Sequence, residues 1–419
     1  MKKILSILLV LVLISSSIFA AGTQETAAPV KAEELSGTFT WWTFFDQAPF
    51  LKEQFEAAYP NIKVNLEMFG GNEYQTKLMT TIMSGQGVPD LMDLEEGYVY
   101  KFIESDKFAD LSKLGGDALV KDYYSWAVAM GRDSKGVLKG ICDNVSPVAF
   151  WYIRSAMEQW LGTSNDVEIA AKLSDWDKIL TVAREVKAKS NGTVFLLPNL
   201  GEIVKVEGYS ITPFVRDGKF NIDPAWYNVI KLMRTLHSEG LVANLGSWSG
   251  EWATAWNGGK LLIRVMPSWD FFTDWKVNTG NVGVAKPPKN SYEGGTYRAI
   301  YADSNQKALA MEFLKFMTSA QFQTANLEKN NQMPANRSVT LALSKTYSAE
   351  RFGGQNLLAT YDAISSNIKD ITPDKYTRRA QNLFSKYAQE GVRNGLSDEQ
   401  IMANLKKALK DEYPEILGL

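Results

Sequence analysis

The sequence feature that most constrains the fold is residues 74–94, YQTKLMTTIMSGQGVPDLMDL, in which a helical pattern changes abruptly to a strand pattern. Apolar residues recur at every fourth position from Tyr74 to Ile82, which predicts one buried face of an amphipathic helix. The run SGQG ends that helix, and Pro89 pushes the residue before it toward an extended conformation. Glu95 then follows the predicted strand, and open α/β sheets gather ligands at such strand ends. The same pattern also fits an ordinary helix-turn-strand unit that binds nothing.

Strand and helix patterns alternate around this unit, which predicts the α/β fold class. Residues 38–43 are rich in β-forming side chains, residues 51–58 carry a helical apolar pattern, and residues 62–66 alternate as a half-buried strand. This order predicts the start of a parallel sheet. A second region begins near residue 139, and its apolar run 148–153 predicts a strand buried on both faces. A chain of 419 residues is long enough for two lobes with separate cores.

Composition and charge exclude several classes of protein. A net charge of −2 gives no electrostatic footprint for nucleic acid or an anionic membrane, so we expect neither as a partner. Aromatic residues make up 12% of the chain, which fits a large core but also fits a carbohydrate site, because flat rings stack on sugars. The single His237 and the single Cys142 predict no metal site and no internal disulfide.

The N-terminus has the pattern of a secretory signal peptide over residues 1–21. Lys2 and Lys3 precede a short apolar run, and small residues follow it before Ala21. The run is short for a membrane span. Residues 22–35 are small and polar, which predicts a flexible leader. Since no cysteine directly follows the apolar run, and Cys142 lies far from it, we expect an exported protein without a lipid anchor.

Sequence blocks in a characteristic order resemble those of one known family. The blocks are FEAAYPNIKV (55–64), residues 74–94, FWYIRSAMEQWLG (150–162), residues 176–187, WNGGKLLIRVMPSW (256–269), VGVAKP (282–287) and residues 308–337, which end in QMPANR. The chain resembles the extracellular solute-binding proteins of ABC importers, in the group that includes maltose- and oligosaccharide-binding proteins. It departs from that pattern by lacking the lipoprotein cysteine of many relatives and by having Ile153 where relatives often have asparagine.

The resemblance implies the type II periplasmic binding protein fold. In that fold two lobes each contain a mostly parallel sheet flanked by helices, and the chain crosses between the lobes. The implied boundaries are residues 36–144 and 296–333 for lobe 1, and residues 145–295 and 334–419 for lobe 2. The implied function is a non-enzymatic periplasmic receptor that captures a sugar or oligosaccharide between the lobes. It would need no cofactor and would deliver its ligand to the permease subunits of an ABC importer.

The expected ligand site combines aromatic faces, which stack on sugar rings, with polar side chains, which bind hydroxyl groups. Trp269 matches the family's Gly-Pro-Trp position, and Glu95 matches the acidic position after its Pro-Asp strand. Glu96 is expected to be solvated, as loop charges usually are. Alternation along the first strand lets one of Trp41 and Trp42 face the cleft, and we favour Trp42. The predicted ligand-binding residues are Trp42, Asp46, Glu95, Asn144, Trp248, Trp252, Trp269, Asp270, Tyr297 and Arg337.

Some of these residues have a structural alternative. Trp248 and Trp252 are either a platform for sugar or a clamp between lobes. Asn144 and Arg337 either contact the ligand or brace the hinge. Trp256, in the following helix, is predicted to belong to the core.

Two other functions remain open on the sequence. A secreted carbohydrate hydrolase would need two carboxyl groups about 5–10 Å apart, and Asp93, Glu95 and Asp270 are the candidates. A receptor for another polar solute, such as a polyamine or a phosphodiester, would use the same fold. The fold alone does not decide among these functions.

Overall fold

The structure is a computed structural model that describes residues 35–269, 280–369 and 374–419, apart from the side chain of Asn72. The predicted signal peptide and most of the predicted leader lie outside these ranges, and so does Asp270. Within the described ranges, no helix combines the length and the apolar character that crossing a membrane would require.

Strands and helices alternate through the chain. The strands are β1 (Gly37–Thr43), β2 (Ile62–Met68), β3 (Leu91–Glu95), β4 (Val148–Ile153), β5 (Val215–Arg216), β6 (Lys219–Phe220), β7 (Ile263–Pro267), β8 (Val282–Ala285) and β9 (Thr296–Ile300). The helices of the first half are α1 (Ala48–Ala58), α2 (Gly71–Ser84), α3 (Val99–Ile103), α4 (Gly116–Leu119), α5 (Ser125–Met130), α6 (Arg154–Leu161), α7 (Asp166–Lys172), α8 (Trp176–Lys189) and α9 (Gly201–Glu207). Those of the second half are α10 (Ala225–Ser238), α11 (Gly250–Asn257), α12 (Lys307–Met317), α13 (Ala320–Asn330), α14 (Arg337–Ser344), α15 (Leu357–Ser365), α16 (Thr377–Arg393) and α17 (Asp398–Glu412).

The first sheet has the strand order β2-β1-β3-β9. β1 pairs in parallel with β2 and β3, as the alternating pattern predicts, whereas β9 runs antiparallel to β3. Aromatic rings attach its helices, since Phe39 of β1 lies 6.2 Å from Phe55 of α1 and 5.6 Å from Phe313 of α12, measured between ring centroids. The predicted helix-turn-strand unit is confirmed as α2 and β3. The helix ends at Gly85, whose φ of 66° suits glycine.

The second sheet has the strand order β7-β4-β8, and both pairings are antiparallel. It differs in this respect from the expected mostly parallel arrangement. Parallel pairing of the described residues occurs in this region at the isolated bridges Phe195–Leu261 and Leu197–Val242. The chain enters β7 in the direction opposite to β4, so that Pro267 at the end of β7 lies beside Val148 at the start of β4. The carboxyl end of β7 therefore lies at the edge from which β4 starts.

The segments that connect the two sheets pair with one another. Residues 141–147 lie in the middle and make backbone bridges to the segment 292–298 on one side and to Pro334 on the other. The Val145 amide donates to the Met333 carbonyl at 3.0 Å. This pairing gives the connection between the sheets a defined register.

A buried ion cluster attaches the first sheet to residues 141–147, the central connecting segment. Arg298 of β9 is 0% exposed and lies 3.3 Å from Asp93 of β3 and 2.5 Å from Asp143. The Trp41 indole and the Thr43 hydroxyl donate to the Asp93 carboxylate at 2.8 and 2.6 Å. Burial raises the pKa of Asp93, and the positive charge of Arg298 opposes that rise. The cluster is stable only as a set, because a buried charge without its partner is costly.

The strands of the first sheet come from residues 37–95 and 296–300, and those of the second sheet from residues 148–285. The predicted lobes, 36–144 with 296–333 and 145–295 with 334–419, separate the strands in the same way. The lobe boundaries themselves remain a prediction.

Arg298→Met should destabilise the fold by roughly 3–5 kcal/mol, because it leaves two carboxylates buried without their cation. The free energy of unfolding from urea titration followed by far-UV circular dichroism measures the loss. Arg379→Met is the matched control, since Arg379 pairs with Glu412 at 2.8 Å on the surface. It should cost less than about 1 kcal/mol. If the two variants lost the same free energy of unfolding, this would contradict the large stabilising contribution assigned to the buried cluster.

Candidate ligand-binding site

A cavity of about 610 Å³ lies beside the segment that leads from the second sheet back to the first. Its walls come from α9, the loop 244–248, residues 292–293 and one face of α16. The volume is in the range of small-molecule sites. The lining is mainly polar and includes Asn199, Glu202, Lys205, Asn244, Ser247 and Arg378.

Trp248 supplies an exposed aromatic face in this cavity. Its side chain is 44% exposed, and its ring stacks on Trp269 with a centroid distance of 5.7 Å and an angle of 7° between the rings. Trp252 packs against the same ring at 5.4 Å. Trp248 has a φ of 70°, which residues other than glycine rarely adopt, and such strain persists where packing imposes it. The neighbouring rings therefore hold Trp248 in a fixed orientation.

Lys205 of α9 organises the charges of the cavity. Its ammonium group lies 3.0 Å from the Glu293 carboxylate and 3.6 Å from that of Glu202. Burial lowers the pKa of Lys205, but the two carboxylates outweigh this effect and the net shift is upward. Burial raises the pKa of Glu202, while Lys205 and the donating hydroxyl of Ser247 oppose the rise. The cavity thus contains charged groups that already neutralise one another.

Glu96 joins the end of β3 to the walls of the cavity. It is 3% exposed and accepts hydrogen bonds from the Tyr209 hydroxyl at 2.7 Å and the Arg378 guanidinium at 2.9 Å. The prediction that Glu96 is solvated is wrong. The strand end does not face water at this point, because Tyr209, just after α9, and Arg378 of α16 place two donors against it.

The predicted site residues near the cavity have different roles. Trp248 lines it, while Trp269 lies behind Trp248 and donates from its indole to the Glu293 carbonyl at 2.8 Å. Trp252 is 2% exposed, and the Arg264 guanidinium lies 3.6 Å from its ring centroid. Of these three rings, Trp248 has the face available to a ligand.

Glu95 lies at the end of β3, half-buried, and its carboxylate accepts a hydrogen bond from the Gly97 amide at 2.7 Å. Burial, together with the negative charge of Glu96, raises the pKa of Glu95 to about 7. It is not among the residues that line the cavity.

The other predicted residues lie away from the cavity lining. Trp42 is 7% exposed and packs on Phe69, Asp46 is exposed in the turn before α1, Asn144 is buried in the central connecting segment, Tyr297 is buried and donates to the Ala127 carbonyl, and Arg337 pairs with Asp362. Asp270 lies outside the described residues. A ligand role for this group remains a prediction. Trp256 is 0% exposed, which confirms it as core.

The sequence interpretation missed the polar face of α16. Arg378, Asn382, Ser385, Gln389 and Arg393 repeat at intervals of three or four residues and line the cavity. This spacing is visible in the sequence, but it is also typical of any solvent-exposed helix face. Among the described residues, no cluster of histidine, cysteine, aspartate and glutamate is arranged to hold a metal ion.

Glu95 should make the stability of the protein depend on pH. The folded state keeps the Glu95 proton up to about pH 7, whereas the unfolded chain releases it near the ordinary value of 4.5. The free energy of unfolding should therefore fall as the pH rises between these values, by on the order of 2 kcal/mol. Glu95→Gln should flatten that fall, measured by urea unfolding at pH 4.5, 6 and 8.

Glu239→Gln is the control for this experiment. Its exposed carboxylate has a pKa that hydrogen bonding to Arg184 lowers, so the variant should keep the fall of the wild type above pH 5. If the free energy of unfolding of the wild type did not fall between pH 5 and 8, this would contradict the raised pKa assigned to Glu95.

Comparison with known proteins identifies the family. The sequence profile of the bacterial extracellular solute-binding proteins matches residues 51–351. The chain is 24% identical to an arabinooligosaccharide-binding protein of Bacillus subtilis (strain 168) over 347 residues, which cover 75% of this chain and 76% of the relative.

Solved structures share the fold. The crystal structure of a protein described as extracellular solute-binding protein family 1 has a TM-score of 0.80 and 21% identity, and the match covers 90% of this chain and 99% of that one. A Bifidobacterium longum protein that binds galacto-N-biose and lacto-N-biose I has a TM-score of 0.71 and 16% identity, over 90% of this chain and 96% of that one. These matches confirm the predicted two-lobed α/β fold. The chain belongs to the family of bacterial extracellular solute-binding proteins.

Proposed function

We propose that the protein is a receptor that captures a sugar or oligosaccharide in the cavity beside Trp248 and delivers it to an ABC importer. The observation that carries this proposal is the exposed Trp248 face, supported by Trp269 and surrounded by amide, hydroxyl and charged groups. A sugar needs this combination because its ring face is apolar and its hydroxyl groups both donate and accept. The names of the similar proteins, which refer to arabino-oligosaccharides and lacto-N-biose I, support the same ligand class.

The charges of the cavity favour an uncharged ligand. Lys205 lies between Glu202 and Glu293, and Arg378 pairs with Glu96. A polyamine or a phosphodiester would have to compete with these ion pairs. Hydroxyl groups can accept from the cations and donate to the carboxylates while the ion pairs stay in place.

The shape of the site favours an oligosaccharide over a monosaccharide. The polar face of α16 runs from Arg378 to Arg393, and the fifteen residue-to-residue steps between them span about 22 Å. A further depression of about 430 Å³ shares Asn382, Ser385, Gln389 and Arg393 with the cavity. This length exceeds that of a disaccharide, so several linked rings could contact the helix.

The arrangement gives little support to a hydrolase. Asp93, one of the predicted catalytic candidates, is 0% exposed and bound by Trp41, Thr43 and Arg298. Glu95 has the raised pKa that a general acid needs, but it does not line the cavity, and the cavity carboxylates Glu202 and Glu293 both pair with Lys205. Binding without turnover is therefore the proposed activity.

The location and the partner follow from the same proposal. The family is extracellular, and the predicted signal peptide at residues 1–21 would direct this chain to the periplasm. The permease subunits of an ABC importer would recognise the arrangement of lobes that the ligand stabilises.

Trp248→Ala should weaken saccharide binding by about 2 kcal/mol, or roughly thirtyfold in Kd, because it removes the exposed stacking face. A thermal-shift screen of wild-type protein with arabino-oligosaccharides, lacto-N-biose I, β-1,6-galactobiose and maltotriose selects the ligand. Isothermal titration calorimetry then measures the Kd of wild type and variant.

Trp160→Ala is the matched control, since Trp160 is a half-buried tryptophan of α6 outside the cavity lining. It should leave the Kd unchanged. The proposal fails if Trp248→Ala binds as tightly as wild type. It also fails if chromatography of the recovered saccharide shows cleavage.

A further inference from the structure

Glu96 is a buried carboxylate that the proposed ligand contacts do not use. It follows β3 of the first sheet directly, and its backbone amide donates to the Gly295 carbonyl at 3.0 Å. Its two carboxylate oxygens accept from different elements, one from the Tyr209 hydroxyl after α9 and the other from Arg378 of α16. The Gly294 amide approaches the second oxygen at 3.4 Å. One side chain at the end of β3 thus contacts three segments that surround the cavity.

Both side-chain partners of Glu96 also belong to the cavity. Tyr209 and Arg378 line it. Burial lowers the pKa of the Arg378 guanidinium group, but the negative charge of Glu96 outweighs this effect, and the net shift is upward. A ligand that touches either residue therefore contacts a group that already binds Glu96. This shared use links occupancy of the cavity to the position of β3.

A column of aromatic rings runs beside this contact. Tyr209 stacks on Tyr292 with a centroid distance of 4.0 Å, and Tyr292 stacks on Trp126 of α5 at 4.5 Å. Tyr292 belongs to the segment 292–298, which leads back to the first sheet. The next residue, Glu293, pairs with Lys205 in the cavity. Movement of Tyr209 away from Glu96 would disturb this stack as well.

At Gly294 the segment that leads back to the first sheet has no room for a larger side chain. Gly294 has a φ of 78°, and a Cβ atom there would lie 2.8 Å from the Trp269 indole nitrogen. The same segment therefore touches Glu96 on one side and the ring behind Trp248 on the other. The contacts form a continuous path from the sugar platform to β3.

We propose that Glu96 is a positioning residue that latches the end of the first sheet to the turn after α9 and to α16, so that ligand affinity depends on a side chain that does not contact the ligand. The latch acts through Tyr209 and Arg378, which line the cavity, and it favours the arrangement of the cavity walls described above. Its effect on affinity rests on the proposed function, but its effect on the arrangement of the protein does not. Without the latch, the first sheet would separate more readily from the cavity, and a bound saccharide would leave faster.

Small-angle X-ray scattering of the sugar-free protein tests the latch independently of any ligand. Glu96→Gln removes the charge at nearly constant volume and should increase the radius of gyration. It should also increase hydrogen–deuterium exchange in residues 96–101, 208–210 and 292–295. Tyr209→Phe removes one donor but keeps the ring stack, and it should shift both measurements in the same direction. Glu412→Gln breaks the exposed pair with Arg379 and should match wild type.

Stopped-flow dissociation of the best saccharide from the screen tests the coupling. Glu96→Gln should raise the dissociation rate about tenfold and leave the association rate nearly unchanged. Wild-type scattering and exchange in both Glu96→Gln and Tyr209→Phe, with the cooperative unfolding transition retained, would overturn the latch. If wild type binds no saccharide, the proposed function fails, and the scattering and exchange data still decide the latch.

Discussion

The interaction on which the rest of the structure depends is the buried contact of Arg298 with Asp93 and Asp143. These residues come from β9, β3 and the central connecting segment, so the cluster fixes the first sheet to the chain that leads into the second. Burying three charged groups costs desolvation energy, and their attraction and hydrogen bonds offset that cost only when the groups meet in one well-defined geometry. Trp41 and Thr43 satisfy the remaining acceptors of Asp93, which ties β1 to the same point. The cluster therefore gives the connection a single register where apolar packing alone would permit several.

The geometry of the cavity follows from that register. β9 begins at Thr296, and the residues just before it reach back to the second sheet, where the Glu293 carbonyl accepts from Trp269. Trp269 supports Trp248, and the Glu293 carboxylate pairs with Lys205. A displacement of the connecting segment would thus move the stacking face and the charged wall together. The site is built on the same chain segment that determines how the two sheets meet.

Local patterns predicted the α/β class and individual elements, whereas the two-lobed fold was implied by the family resemblance. The fourfold spacing from Tyr74, the glycine-rich stop and Pro89 gave α2 and β3 nearly at their observed bounds, because these signals act over a few residues. The antiparallel pairings of the second sheet were harder to predict from the sequence. The direction of β7 beside β4 depends on where the chain returns after more than a hundred residues, and no local pattern encodes that return.

The site was predicted less well than the fold, for a related physical reason. Glu96 resembles any loop carboxylate in the sequence, yet its partner Arg378 is 282 positions away. Trp248 and Trp269 were both expected at the ligand. Their stacking order, which leaves the face of Trp248 open, depends on a backbone conformation with φ of 70° that sequence patterns do not specify. Contacts between distant segments decide function here, and they emerge only when the chain is folded.

The central claim is that the cavity beside Trp248 holds a saccharide, and the most direct test is a crystal structure of the complex with the best saccharide from the screen. The account predicts a sugar ring stacked on the open face of Trp248, with hydroxyl groups bonded to the polar face of α16 and Glu96 still bonded to Tyr209 and Arg378. Saccharide density elsewhere, for example against Trp42 and Asp46 with an empty cavity, would contradict it.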